Sequence, residues 1–334
     1  MRPRTRRRTK GGQVGAEMIM RQPPPHININ AALRRDPSRT GGLRQRFIAQ
    51  MDRRWNGLKA QIRTSIVDRD CFNIQPDALF VGAPTEFKQF RFTRTEDKIA
   101  AFMKWLEDQE KAGILELTAG AGGWTDRYVQ SAYAQGVRRS ILEMRKRQLS
   151  FPDFNALPGG MASAFLSPIH ADALGVLYTR VFSELKTVAE LTNQRIRRSV
   201  ADGLTTGLTR GLAEGKWPIT IARELMKDVT NHVDVIGRVR ARMIARTEII
   251  RAHHVATIQE YRQAAEDMQV EVMAEFSTSG DDRVCDECAA MEGKTFSLDV
   301  IEGMIPRHPN CRCAAIPAAE WVNARFATET RQAA

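Results

Sequence analysis

Four of the five cysteines of this 334-residue chain lie in one short segment near its C-terminal end. Cys285 and Cys288 form a Cys-x-x-Cys pair, and His308, Cys311 and Cys313 follow in one further block. Tetrahedral zinc sites are built from thiolates and imidazoles at such spacings. Because the upstream and downstream donors must meet at one ion, we expect a small, loop-rich, zinc-stabilised subdomain here.

The ligand set stays open, because five donors compete for four positions. We predict Cys285, Cys288 and Cys311 as ligands, with His308 or Cys313 as the fourth. Two alternatives remain for the thiols, which can stay reduced without a metal or form disulfides after leaving a reducing compartment. His308 also has a purely structural interpretation, as a side chain that hydrogen-bonds its own turn.

Upstream of this segment, apolar residues recur every three or four positions, which is typical of amphipathic helices. After Met268 the spacing changes to two, and the alternation from Val270 to Phe276 predicts a half-buried strand. We therefore predict a mainly α fold with a small C-terminal α+β portion. The predicted helices cover residues 46–62, 95–112, 125–149, 168–209, 218–229 and 235–268.

Residues 151–160 are rich in proline and glycine, which indicates a domain boundary. Four parts follow from this interpretation: a disordered basic arm (1–45), a helical N-terminal domain (46–150), a further helical part (151–268) and a strand with the Cys/His-rich part (269–334).

The positive charge is concentrated at the N-terminal end. Residues 1–45 hold eleven basic and two acidic residues, a net charge of +9 out of +11 for the whole chain. Such an arm suits non-specific, salt-dependent contact with double-stranded DNA phosphates. The alternatives are a solvated tail or contact with an acidic protein surface. The densest cations are Arg2, Arg4, Arg6, Arg7, Arg8 and Lys10.

Neither a secretory signal nor an apolar run long enough to cross a bilayer is present in the sequence. We therefore expect the protein to be made in the cytoplasm, without a membrane partner.

The helix predicted over 235–268 carries four polar residues near its apolar stripe. Arg246, Glu248, Arg251 and His254 are interpreted as a structural polar cluster, with an ion pair between Glu248 and Arg251. No nucleophile or second acid–base group is placed beside them, so no catalytic residue is predicted.

Four sequence blocks in this order resemble the phage Mu F-like head morphogenesis family of minor capsid proteins. They are Ile244–Glu248 (IARTE), Phe276–Cys288 (FSTSGDDRVCDEC), Met291–Phe296 (MEGKTF) and Pro306–Cys313 (PRHPNCRC). The resemblance covers roughly residues 190–317.

The resemblance implies a structural role inside a virion rather than an enzyme. It implies a low-copy component of the capsid interior, with several copies per virion, near the portal vertex and assembled in the host cytoplasm. The implied partners are the portal protein, other head proteins and packaged DNA.

Two other functions are weighed against this one. The first is a metal-dependent hydrolase or toxin-like nuclease using Glu248 and His308, although thiolates that close a zinc site leave no open position for water. The second is a zinc-bearing nucleic-acid binding module without a capsid role.

Overall fold

The computed structural model describes residues 36–74, 94–118, 122–146, 168–318 and 322–323. These residues are mainly helical, with a small antiparallel sheet near the C-terminal end, as the sequence predicts. Within them, no helix combines the length and the apolar composition that crossing a bilayer requires. The helices are α1 (Gly41–Arg63), α2 (Thr95–Gly113), α3 (Asp126–Arg145), α4 (Pro168–Asp202), α5 (Leu208–Ala213), α6 (Pro218–His232), α7 (Val239–Met268), α8 (Asp286–Ala289) and α9 (Leu298–Glu302).

Three of these helices run on into a π-helical turn. The turn Thr64–Asp68 continues α1, Gly203–Gly207 joins α4 to α5, and Val233–Arg238 joins α6 to α7. The helix predicted over residues 168–209 is therefore interrupted by a π-helical turn that begins at Gly203. The two helices predicted over 218–229 and 235–268 form one continuous helical path.

Helix α7 lies at the centre of the body, packed against α3, α1 and α4. Its buried positions include four alanines, and small side chains let neighbouring helix backbones approach closely. One close approach is at Gly136 of α3, which lies against the backbone carbonyl of His253. The fully buried alanines of α7 are Ala241, Ala245, Ala252 and Ala256.

One hydrophobic core runs through helices on both sides of the boundary expected at residue 150. Trp55 of α1, Phe102 of α2 and Tyr133 of α3 belong to the same buried cluster as Val181 of α4. Each of these helices has an apolar stripe that is buried against another helix of the body. Helices on both sides of the predicted boundary thus share this core, and residues 151–160, where the boundary is predicted, lie outside the described residues.

The body also begins earlier than the sequence suggests. Asp36 accepts hydrogen bonds from Ser38 and forms an ion pair with Arg44, and α1 begins at Gly41. Residues 36–45, which were assigned to the arm, therefore belong to the folded body, because their polar groups satisfy one another. Residues 1–35, with the six clustered cations, lie outside the described residues.

A three-stranded antiparallel sheet follows α7, with β4 between β5 and β6. Val272, Ala274 and Phe276 are buried, which confirms the alternation expected for this strand. These side chains pack on Ile258 and Tyr261 in the C-terminal half of α7. The strands are β1 (Leu117–Thr118), β2 (Gly122–Gly123), β3 (Val270–Glu271), β4 (Met273–Ser277), β5 (Thr295–Ser297), β6 (Ala314–Pro317) and β7 (Val322–Asn323).

Candidate metal centre

The pairing of β4 with β6 brings the two cysteine-bearing blocks together. The strands are antiparallel, and Ser277 at the end of β4 is paired with Ala314 at the start of β6. The Cys-x-x-Cys turn follows β4, and Cys313 directly precedes β6. Both blocks therefore lie at the same end of the sheet.

The Cys-x-x-Cys turn is fixed by a backbone hydrogen bond. Cys285 occupies the N-cap position of α8, and its sulfur accepts a bond from the Cys288 N–H at 3.4 Å. This bond turns both side chains to the same side of the loop, as two ligands of one ion require.

His308 presents its Nε2 atom to these two thiols. That nitrogen lies 3.2 Å from the Cys285 sulfur and 3.2 Å from the Cys288 sulfur. The other ring nitrogen, Nδ1, lies 2.8 Å from the carbonyl oxygen of Pro309 and can donate to it. A histidine held in this tautomer has its Nε2 lone pair free for a metal.

Cys311 and Cys313 complete the cluster from the other side. Their sulfurs and that of Cys288 lie within 4.8 Å of one another, and the same limit holds for Cys285, Cys288 and His308. Sulfur ligands of one tetrahedral zinc are roughly 3.8 Å apart, given a zinc–sulfur bond of about 2.3 Å. All five sequence-predicted donors thus belong to two overlapping groups that share Cys288, and each group is compact enough that it could hold a metal ion.

The cluster is mostly shielded from solvent. Cys288, Cys311 and Cys313 are buried, Cys285 and His308 are half-buried, and all the cysteines are free thiols. A hydrogen bond from the Cys313 side chain lowers the pKa of Cys311 to about 5, whereas burial raises the pKa of Cys288 to about 12. A buried site of this kind accepts several thiolates only if a cation neutralises them.

An ion pair braces the loops that carry the donors. Arg312 donates two hydrogen bonds to Asp281, at 2.6 and 2.5 Å, and so links the turn before Cys285 to the block that holds Cys311. These bonds hold the pKa of the Asp281 carboxyl well below its usual range. The brace fixes the distance between the two halves of the site.

The four polar residues predicted on α7 do not form one cluster. Glu248 is buried, and it lies 3.2 Å from Arg251 and 3.3 Å from Arg180 of α4, so the expected pair is present with a partner that the sequence did not indicate. Arg246 is exposed, and it lies 3.4 Å from the side-chain oxygen of Asn310. The Glu248 carboxylate thus bonds to arginines, while His308 Nε2 faces sulfurs.

His254 joins α7 to the C-terminal end of α9. Its buried Nε2 lies 3.0 Å from the carbonyl oxygen of Ile301 and 3.2 Å from that of Glu302. Burial lowers the pKa of His254 to about 4, so the neutral ring donates to these carbonyls. Its role in the structure is to satisfy helix-terminal carbonyls, as its structural interpretation predicts.

Sequence reasoning missed a buried chain of three polar side chains between three helices. The hydroxyl of Tyr133 lies 2.8 Å from His170 Nδ1, and His170 Nε2 lies 3.4 Å from Glu260. Burial raises the pKa of Glu260 to about 7. No spacing in the sequence signals this chain, because its members come from α3, α4 and α7.

Residues 199–316 match a protein-family model, that of the family described as Phage Mu protein F like protein. The matched segment agrees with the span expected from the four blocks, and it includes α7, the sheet and all five donors. Comparison with curated proteins gave no match, and comparison with solved structures gave none. The family is one of structural and morphogenesis proteins of the phage head. Residues 199–316 of this chain are therefore similar to the family described as Phage Mu protein F like protein.

Proposed function

We propose that the chain is a minor capsid protein of a tailed phage that binds the portal vertex inside the head and contacts packaged DNA. It acts in assembly, packaging or delivery as a structural protein rather than as an enzyme. The observation that carries the proposal is the family match over residues 199–316. Because α1, α2 and α3 share one core with the matched segment, the whole folded body is available as a docking unit.

Portal binding is tested by co-expression of the full chain with the portal protein of its own phage. We expect the chain to co-elute with the portal ring in size-exclusion chromatography. A second variant has the arm cations Arg2, Arg4, Arg6, Arg7, Arg8 and Lys10 replaced by glutamine, and it should co-elute equally well if the body makes the contact. Failure of both chains to co-elute with an intact ring would overturn the portal assignment.

The basic arm is proposed to contact DNA phosphates without sequence preference. Fluorescence anisotropy with a short duplex, measured at several salt concentrations, compares the full chain with the glutamine variant of the arm. Neutralising up to six phosphate contacts should weaken binding and reduce the slope of log affinity against log salt by up to about 5. An unchanged slope contradicts DNA contact by the arm.

The Cys/His cluster is proposed to hold one structural zinc through Cys285, Cys288, Cys311 and His308. His308 is chosen over Cys313 because its Nε2 lies 3.2 Å from two of the three remaining ligand sulfurs. The ion would join the two blocks that flank the sheet and leave no open position, so its role is structural.

Metal analysis of the purified chain tests this ligand set. We expect one zinc per chain in the wild type and in Cys71→Ala, which alters the one cysteine outside the cluster. Cys288→Ser and His308→Ala should lose zinc, whereas Cys313→Ser should keep it. Loss of zinc from Cys313→Ser but not from His308→Ala shows that Cys313 is the fourth ligand, and a zinc-free wild type contradicts the site altogether.

A further inference from the structure

A cleft of about 610 Å³ lies beside the cysteine cluster, between the start of α1, the middle of α7 and two loops of the C-terminal subdomain. Its charged lining comes from four separate parts of the chain, which only the tertiary structure brings together. Four arginines and two aspartates line it: Arg44, Arg246, Arg283, Arg312, Asp36 and Asp281.

The two aspartates do not neutralise the four guanidinium groups. Asp36 forms an ion pair with Arg44, and Asp281 is shared by Arg312 and Arg283. The charged lining of the cleft therefore carries a net charge of +2. Arg246 faces the side-chain oxygen of Asn310 at 3.4 Å, a long contact with a neutral acceptor.

The positive groups are close enough to repel one another. Arg44 is only 9% exposed, and burial lowers the pKa of its guanidinium. The Asp36 carboxylate opposes this shift in pKa, whereas the charges of Arg312 and Arg246 add to it. Like charges that line one cleft repel one another, and an anion bound between them relieves the repulsion. The first turn of α1 contains no acidic residue, so the helix terminus adds to the positive potential.

We propose that this cleft binds a phosphate group, with Arg246 and Arg283 as the main donors and Arg44 contributing from the floor. The guanidinium group matches phosphate oxygens because it offers paired N–H donors in one plane. Arg312 is held by its two bonds to Asp281 and acts as a positioning residue for the loop. A tetrahedral oxyanion suits donors that approach from α1, α7 and a loop.

Two sources of phosphate are compatible with this chemistry, a free phosphate anion and the backbone of DNA. The second rests on the DNA contact proposed above, whereas the first does not. Asp36, where residues 1–35 join the body, lines the same cleft, so a strand held there passes the point where the arm begins. The cleft would hold the strand on the folded body.

The free anion is tested with inorganic phosphate and the full chain. The variant is Arg246→Gln, which removes an exposed charge that forms no ion pair with any residue the structure describes. The control is Arg210→Gln, which changes the net charge equally at an exposed site on α5. We expect calorimetric titration with phosphate to show binding to the wild type and the control, and about tenfold weaker binding to Arg246→Gln. Equal binding by all three proteins, or no binding by the wild type, overturns the inference.

The DNA source is tested by measuring duplex binding of chains that already carry the six glutamine substitutions in the arm. Adding Arg246→Gln to that variant should lower the salt slope by about 1, and adding Arg210→Gln should leave it unchanged. If Arg246→Gln leaves the salt slope of duplex binding unchanged while the wild type still binds inorganic phosphate, the cleft binds free phosphate alone. Because the arm is already neutralised, this result is independent of whether the arm itself contacts DNA.

Discussion

The packing of α3 on α7 gives a sharp test of the core, because it depends on one glycine. A Cβ atom added at Gly136 would lie less than 3.0 Å from the backbone carbonyl oxygen of His253 and from the Cβ of Ala256. Ordinary contact begins near 3.4 Å, so the two helices would have to separate by roughly 1 Å. The nearest atom belongs to a helix backbone and cannot rotate away.

Two effects of Gly136→Ala oppose each other. Alanine is favoured over glycine in a helix by about 1 kcal/mol. Overpacking of a well-filled core costs about 1–3 kcal/mol and more where backbone must move, and here the shift disturbs the most extensive helix contact of the body. We expect the clash to dominate, with a net loss of about 2 kcal/mol in the free energy of unfolding.

Gly175→Ala is the matched control for this substitution. Gly175 lies within α4, and a Cβ atom built there meets nothing within 4 Å. The same chemical change should therefore raise the free energy of unfolding by about 0.5–1 kcal/mol. Urea unfolding followed by circular dichroism measures both variants. A Gly136→Ala protein as stable as the wild type would refute the close approach of α3 and α7.

Three further predictions concern stability. Burial raises the pKa of Glu110 to about 8, so the stability that its neutral form contributes is lost as pH rises from 4.5 through 8. Glu110→Gln can still accept the hydrogen bond from Asn193. In urea unfolding, its free energy of unfolding relative to that of the wild type should increase by on the order of 2 kcal/mol between pH 5 and pH 8. Burial lowers the pKa of His254, so the stability of the wild type should fall as pH drops from 6.5 towards 4. His254→Ala should lose about 2 kcal/mol in the free energy of unfolding at pH 7.5. In thermal melts, the stability of this variant should decrease less steeply with falling pH than that of the wild type. Arg242 of α7 donates two hydrogen bonds of 2.6 Å to the Asp52 carboxylate of α1. A double-mutant cycle should give a coupling energy of about 1 kcal/mol that decreases with salt. A coupling energy of zero at low salt contradicts the ion pair.

The sequence was sufficient for features that depend on local periodicity or on spacing. The three- and four-residue repeats predicted the helices, and the two-residue alternation predicted β4 with its buried face. The Cys-x-x-Cys spacing and the later His308 block identified five donors that the structure does bring together. The ordered blocks also located the Mu F-like segment, which the family match confirms.

Domain division could not be predicted in the same way. A run of proline and glycine shows where a helix stops, but it does not show whether the next helix packs on the previous one. Tyr133 and Val181 lie on opposite sides of residues 151–160, yet both belong to one core. The start of the body at Asp36 was hidden for a related reason, because its ion pair with Arg44 is a feature of side-chain geometry.

The sequence by itself determined that the C-terminal segment carries a set of thiols and one imidazole able to bind a single ion. Only the tertiary structure decided how those donors face one another, because the register of β4 with β6 sets the distance between the two blocks. The structure alone also placed Arg44 of the first helix beside Arg246 and Arg312. Charges so far apart in the chain have no common pattern in the sequence, and their proximity results from the packing of α1 on α7.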